Sequence, residues 1–255
     1  MNILSRPLLI AFAACVVLGG AAVAWERWSA DRRDNEILSL LPDEVLKRPD
    51  LVKLAIAEAK PVYAARCASC HGTDLKGNVQ TGAPNLSDSV WLYDTDSVTD
   101  IERTILYGIR SHQAKARNVT EMPAFGMRGL LSPGEIGDVV QYVLALSKRP
   151  NLAQAALSGR QIFLGKGNCY DCHGPDGLGS PDYGAPNLTV NVWDNGGDQS
   201  AIYHNIYYGL SHVCPAWYGV ISLEKIRALA IYLHTVSHSA PASTSASVSY
   251  PAQSG

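Results

Sequence analysis

Two stretches of this 255-residue chain carry the order Cys-x-x-Cys-His: Cys67, Cys70 and His71 in "CASCHGTDLKG", and Cys169, Cys172 and His173 in "CYDCHGPDGLG". In an exported chain this spacing reads as covalent haem attachment, the two sulfurs taking the porphyrin vinyl groups and the adjacent histidine reaching the iron on one face. A zinc site would need four ligands closed in a tetrahedron, whereas each copy offers one histidine and one cysteine pair. A redox disulfide would leave the histidine unexplained in both copies. Two covalently bound haem c groups are therefore the expected cofactors.

A haem iron held by one histidine takes a sixth ligand or stays open. After the first motif the candidate is Met122, 51 residues beyond His71. Met–His ligation raises the potential and leaves no room for substrate, the arrangement of an electron carrier. Met127, five residues on, has no counterpart in the second repeat and reads as apolar filler. The second repeat contains no methionine, because the chain has only Met1, Met122 and Met127. In register with Met122 stands Cys214, 41 residues after His173, with His212 and His204 nearby. Three readings stay open for the second iron: Cys214, His212, or an open or weakly ligated site. A thiolate would stabilise ferric iron and lower the second haem's potential, so that electrons would run from the second haem to the first.

These residues sit in an internal duplication. The two motifs align at an offset of 102, which also carries "GAPNL" at 82–86 onto 184–188 and Trp91 onto Trp193. "MPAF" (122–125) matches "CPAW" (214–217) at offset 92, so the first copy has a longer loop near Ser111 to Glu121. Each copy closes with a helix. Ser132, Pro133 and Glu135 form a capping-box start, and Ile136, Val139, Val140, Val143 and Leu144 recur on one face. Ser222 starts the second, whose face is Ile226, Leu229, Ala230 and Leu233. A helical stretch precedes each cysteine pair, ending near Tyr63 and Phe163, and strand signals are absent. The expected fold is all-α: two tandem helical haem domains, 60–147 and 157–238, after an N-terminal apolar helix, joined by a linker at 148–156. Residues 29–59 read as helical spacer broken by Pro42 and Pro49, and 239–255 as a disordered tail.

Residues 1–28 form a signal peptide or single membrane anchor. Leu8 to Ala24 is uncharged and flanked by Trp25 and Trp28, which suits an interfacial belt, while Ala22-Val23-Ala24 offers a cleavage site. Cys15 reads as an apolar residue of that run. Either way the rest of the chain lies beyond the cytoplasmic membrane. With 21 Lys plus Arg against 23 Asp plus Glu and no nucleic-acid motif, no nucleic-acid partner is expected. Arg110, Lys115, Arg117 and Arg128 could rim the Met122 loop for an acidic redox partner, or simply be solvated; His234 and His238 read as surface residues near a helix end.

The haem motifs, together with "GAPNLSDSVWLY", "GAPNLTVNVW" and "MPAFGMRGLLSPGEIGDVVQYVLALS", resemble class I c-type cytochromes, and most closely the dihaem subunit III of cbb3-type cytochrome oxidases, over roughly residues 60–237. The resemblance implies one haem c per motif, a distal methionine at Met122, and proline carbonyls at Pro84 and Pro186 facing the proximal histidines. It implies redox-protein donors and acceptors, with haem-copper oxidase core subunits among them, on the periplasmic side of the bacterial inner membrane. Two departures stand out: Cys214 replaces the expected methionine, and the family's long N-terminal anchoring part is reduced to one short apolar run. Because His–Cys ligated haems also occur in thiosulfate dehydrogenases, a sulfur-compound oxidoreductase remains the alternative, with a gas-binding sensor as a third reading.

Overall fold

The computed structural model describes residues 5–239 apart from positions 79, 80, 89, 94, 95, 118 and 119. Its helices are α1 Ser5–Ser39, α2 Pro49–Arg66, α3 Ala68–His71, α4 Val98–Tyr107, α5 Pro133–Leu146, α6 Ala153–Leu164, α7 Tyr170–His173, α8 Gln199–Tyr208 and α9 Leu223–Ser239, with a 3₁₀ turn at Pro42–Lys47. Among the described residues there are no strands, only isolated bridges. Ser132 and Glu135 complete their capping box at the start of α5, while Ser97 caps α4 and Asp198 caps α8. Pro42 and Pro49 each open a new helical piece, where a missing N–H costs nothing. The tail beyond Ser239 lies outside the described residues.

The closing helices do not fold back on their own repeats. Helix α5 packs on α6 and α8, and α9 packs on α2 and α4. Tyr142 of α5 meets Phe163 of α6 edge to face at 5.2 Å, and Tyr232 of α9 meets Tyr63 of α2 at 6.1 Å. Such pairs add about 0.5–1.5 kcal/mol beyond area burial. Two cores result. One gathers Val45, Leu51, Ala55, Tyr63, Ile101 and the inner face of α9; the other gathers Phe163, Leu188, Ile202, Ile206 and the inner face of α5. The second unit is thus one stretch from Met122 to Tyr208, and the first is split around it. Each core thus takes its closing helix from the other repeat. The physical reason is the short connection: only residues 147–152 join α5 to α6, which forces them into an antiparallel pair.

The stretch read as spacer also belongs to the first core, since Ile37, Val45 and Leu51 are buried there. Arg227 of α9 holds it in place. Its guanidinium pairs with Glu102 of α4 and donates to the carbonyls of Ile37 and Leu40 at 3.2 and 3.0 Å, the end of α1. Among the described residues no helix is long and apolar enough to cross a membrane. The apolar run predicted at Leu8 to Ala24 lies partly outside that description, because no side chain before Val16 is described, Cys15 included.

A polar tie also crosses between repeats: the Asn85 N–H donates to Asp194 Oδ1 at 3.3 Å. Burial, with the nearby Asp88 charge, raises the Asp194 carboxyl above its ordinary value. A raised folded-state pKa means that Asp194's contribution to stability is complete below about pH 4 and is lost as pH rises through the folded value. Replacing Asp194 with Asn keeps the acceptor and removes the charge. Thermal unfolding of Asp194→Asn against pH should show a flatter decline above about pH 4 than the parent chain; parallel curves would contradict this. The α5–α6 contact is tested at Gly159, where an added Cβ would collide with the Asp138 backbone carbonyl. Gly159→Ala should lose about 1–3 kcal/mol in denaturant unfolding, as overpacking does, and an unchanged midpoint would contradict so close an approach.

Candidate haem-binding site

Both attachment motifs are one-turn helices ended by glycines, Gly72 and Gly174, at φ 77° and 74°. The loop that follows is the same in each copy. The Gly77 N–H donates to the His71 carbonyl and the Leu86 N–H to the Leu75 carbonyl; Gly179 with His173 and Leu188 with Gly177 repeat the pattern. This brings the proline carbonyl under the ring. His71 Nδ1 donates to Pro84 O at 3.0 Å, and His173 Nδ1 donates to Pro186 O at 3.1 Å. A carbonyl can only accept, so each Nδ1 carries the proton and each Nε2 keeps a lone pair for a metal. Burial holds both imidazoles below their ordinary pKa, which keeps them neutral.

The distal residues arrive by a reciprocal crossing. Ile109 and Cys214 exchange backbone hydrogen bonds at 3.0 and 3.1 Å, and Met122 and Leu210 do the same at 3.0 and 3.1 Å. Further along, Phe125 N–H donates to Ile206 O in one unit and Trp217 N–H to Ile105 O in the other, both at 3.1 Å. Each ligand loop therefore lies on the α4 or α8 of the opposite repeat. Met122 and Phe125 pack with Cys169, Phe163 and Leu188 of the second unit. Trp217 packs with Cys67 and Trp91 of the first, and the Cys67 and Cys70 sulfurs are close enough to Cys214 to help burial push its thiol up to about 11. Met122 thus lies in the core that Cys169 borders, and Cys214 lies near Cys67 and Cys70, so each stands beside the motif of the opposite repeat.

One cavity of about 1620 Å³ reaches Cys70 and His71, Cys169, Cys172 and His173, and both Met122 and Cys214. That exceeds the roughly 300–1,000 Å³ of a single small-molecule pocket. Its walls include Trp91 and Trp193, whose indole N–H groups are buried without an acceptor, as is Arg110 Nε. An unmet buried donor costs about 1–3 kcal/mol, so equivalent ones in both repeats indicate acceptors in the cavity. The carboxylates of a haem are such acceptors. With free sulfurs, neutral histidines and apolar walls in place, the residues fit one haem per motif.

Trp91 and Trp193 served above only as landmarks of the repeat; their matched position beside both motifs was the signal for a shared donor role. Arg110 was read as part of a rim, yet it clamps the crossing by donating to His212 O at 2.7 Å and Thr120 O at 3.2 Å. Arg117 bonds Thr104 Oγ1 and pairs with Asp100, so it too faces inward. Met127 is 64% exposed, not packed filler. His204 meets Tyr208 with the rings tilted by 41°, and His238 bonds Asp96 near the end of α9 while stacking on His234.

Residues 56–147 match the family model for cytochrome c, and residues 154–233 match that for cytochrome c oxidase, cbb3-type, subunit III. The chain is 40% identical over 194 residues to the cbb3-type cytochrome c oxidase subunit FixP of Bradyrhizobium sp. (strain ORS 278), covering 76% of this chain and 65% of that one. It is 39% identical over 186 residues to subunit CcoP of Cereibacter sphaeroides, covering 73% and 62%, and 30% identical over 202 residues to FixP of Rhizobium meliloti (strain 1021), covering 79% and 68%. The chain spans about two thirds of the length of these relatives, slightly less for the first two. These relatives are oxidase subunits and lend no support to the sulfur-compound or gas-binding readings. With both haem motifs inside the matched regions, the chain belongs to the dihaem c-type cytochromes of cbb3-oxidase subunit III, and its two cytochrome c domains imply two covalently bound haem c groups.

Proposed function

We propose that the chain carries single electrons from a redox-protein donor to the core subunits of a cbb3-type oxidase, at the periplasmic face of the inner membrane. The observation that carries this reading is the reciprocal crossing, which delivers one sulfur-bearing residue toward each attached histidine. When bound, haem c supplies a one-electron iron couple. The chain's own part is to fix that couple and keep substrates away. The proline carbonyls orient His71 and His173; Cys67, Cys70, Cys169 and Cys172 would form the covalent links, the two histidines would hold the irons, and Met122 would supply a second ligand at the His173 site. Filling both faces of an iron favours electron transfer over chemistry at the metal. The oxidase setting draws on the relatives' names. The membrane setting draws on α1, which exposes Val16, Val17, Leu18 and Val23 followed by Trp25 and Trp28, with Arg32 over Trp28 at 4.3 Å.

Two measurements on the matured full-length chain test this. A haem assay should give two haem c per chain, and Met122→Leu should leave both attached while opening one iron to carbon monoxide. One haem per chain, or no new carbon monoxide binding, would contradict the site. For the function, the reduced chain should be reoxidised by oxygen rapidly only when cbb3 core subunits are added; equally fast reoxidation without them would contradict a carrier role.

A further inference from the structure

We infer that Cys214 coordinates, as a thiolate, the iron whose other face is held by His71, so that the two haem sites differ in potential and the His71 site is the lower. This deepens the dihaem reading above and rests on it. Cys214 occupies a rung equivalent to that of Met122: each uses both its N–H and its C=O in an antiparallel pair, so the same backbone frame aims both side chains. Both residues line the cavity that the two motifs share. Among the described residues the first unit has no thioether to offer. Met122 packs in the second unit, and the Met127 N–H is bonded to Tyr207 O of α8.

His212, the competing ligand, also lines this cavity, but its ring is committed elsewhere. Its ring is pressed against Gly82, where any added Cβ would overlap it, and Gly82 lies two residues before Pro84, the partner of His71. It therefore packs on the loop that carries Pro84. A second observation points to a bound group here independently of the cysteine: the Trp91 indole N–H, buried in the same unit, has no acceptor. The thiols nearest to Cys214 are Cys67 and Cys70, which thioether bonds would remove, leaving no disulfide partner there. A coordinating metal deprotonates a thiol outright, and the thiolate then stabilises the ferric state, whereas the thioether at Met122 stabilises the ferrous one. An electron is thus more stable at the His173 site. That reverses the order expected from the repeat register.

The test is a redox titration of the matured full-length chain, followed by absorption and by low-temperature electron paramagnetic resonance. It compares the parent with Cys214→Met and with two reporters, Cys70→Ser and Cys172→Ser. Each reporter keeps one thioether and frees one vinyl group, whose conjugation shifts that haem's absorption band to the red. Two haems per chain should titrate in two waves, the lower one carrying a low-spin thiolate signal. Cys214→Met should abolish that signal and raise the lower wave, leaving the upper one in place. The red-shifted band should follow the lower wave in Cys70→Ser and the upper wave in Cys172→Ser; if either reporter fails to mature, the other makes the assignment alone. Two haems with no thiolate signal, or with waves that Cys214→Met does not move, overturn the inference and leave the dihaem reading standing. A thiolate signal that follows the Cys172→Ser reporter overturns the pairing with His71. Fewer than two haems per chain would overturn the dihaem reading itself.

Discussion

Four backbone hydrogen bonds at the crossing, joining Ile109 to Cys214 and Met122 to Leu210, hold each distal loop against the opposite repeat, as the short 147–152 connection holds α5 against α6. They need close backbone approach. Gly108 and Gly209 provide it at φ 74° each, just before Ile109 and Leu210, and a Cβ at either would collide with the carbonyl of Cys214 or Met122. A side chain at those positions would be strained by the dihedral and blocked by the opposing backbone segment. Because the chain passes through this point twice, neither unit can complete its core from one repeat. Arg110 reinforces the crossing by donating to carbonyls on both segments.

From that constraint follows the shared cavity. Two haem motifs that exchange distal loops must lie close together, and the continuous space between His71 and His173 is the consequence. The sulfur-bearing residue beside each haem motif then comes from the partner repeat, Met122 for one and Cys214 for the other, so the two sites are built unequally. The exchange also explains the burial of Ile37 and Val45: α9 brings the end of the chain onto its beginning, and Arg227 secures the end of α1 through two carbonyls.

Much of the site was legible in the sequence, because covalent attachment and proximal ligation depend on short-range spacing. Cys67, Cys70, His71 and their second set could be read directly, and the proline carbonyls at 84 and 186 stand where the repeat put them. The helix start at Ser132 and the break at Pro49 were equally local signals. The partnering of helices was not legible from register, since α5 has the same apolar stripe whichever haem unit it covers. The brief turn at 147–152 was the available clue, as it allows only an antiparallel pair. Trp91 and Trp193 were visible as repeated residues, but their unmet donors emerge only once the cavity exists. Residues 29–59 looked like spacer because their apolar positions are short and interrupted; α9 completes the core around them.

The most direct measurement is a crystal structure of the haem-loaded protein at a resolution that distinguishes sulfur from the surrounding atoms. Density should join the Met122 sulfur to the iron held by His173, and the Cys214 sulfur to the iron held by His71. Density joining Met122 to the His71 iron, with α5 folded back on α2, would contradict the exchange and everything built upon it.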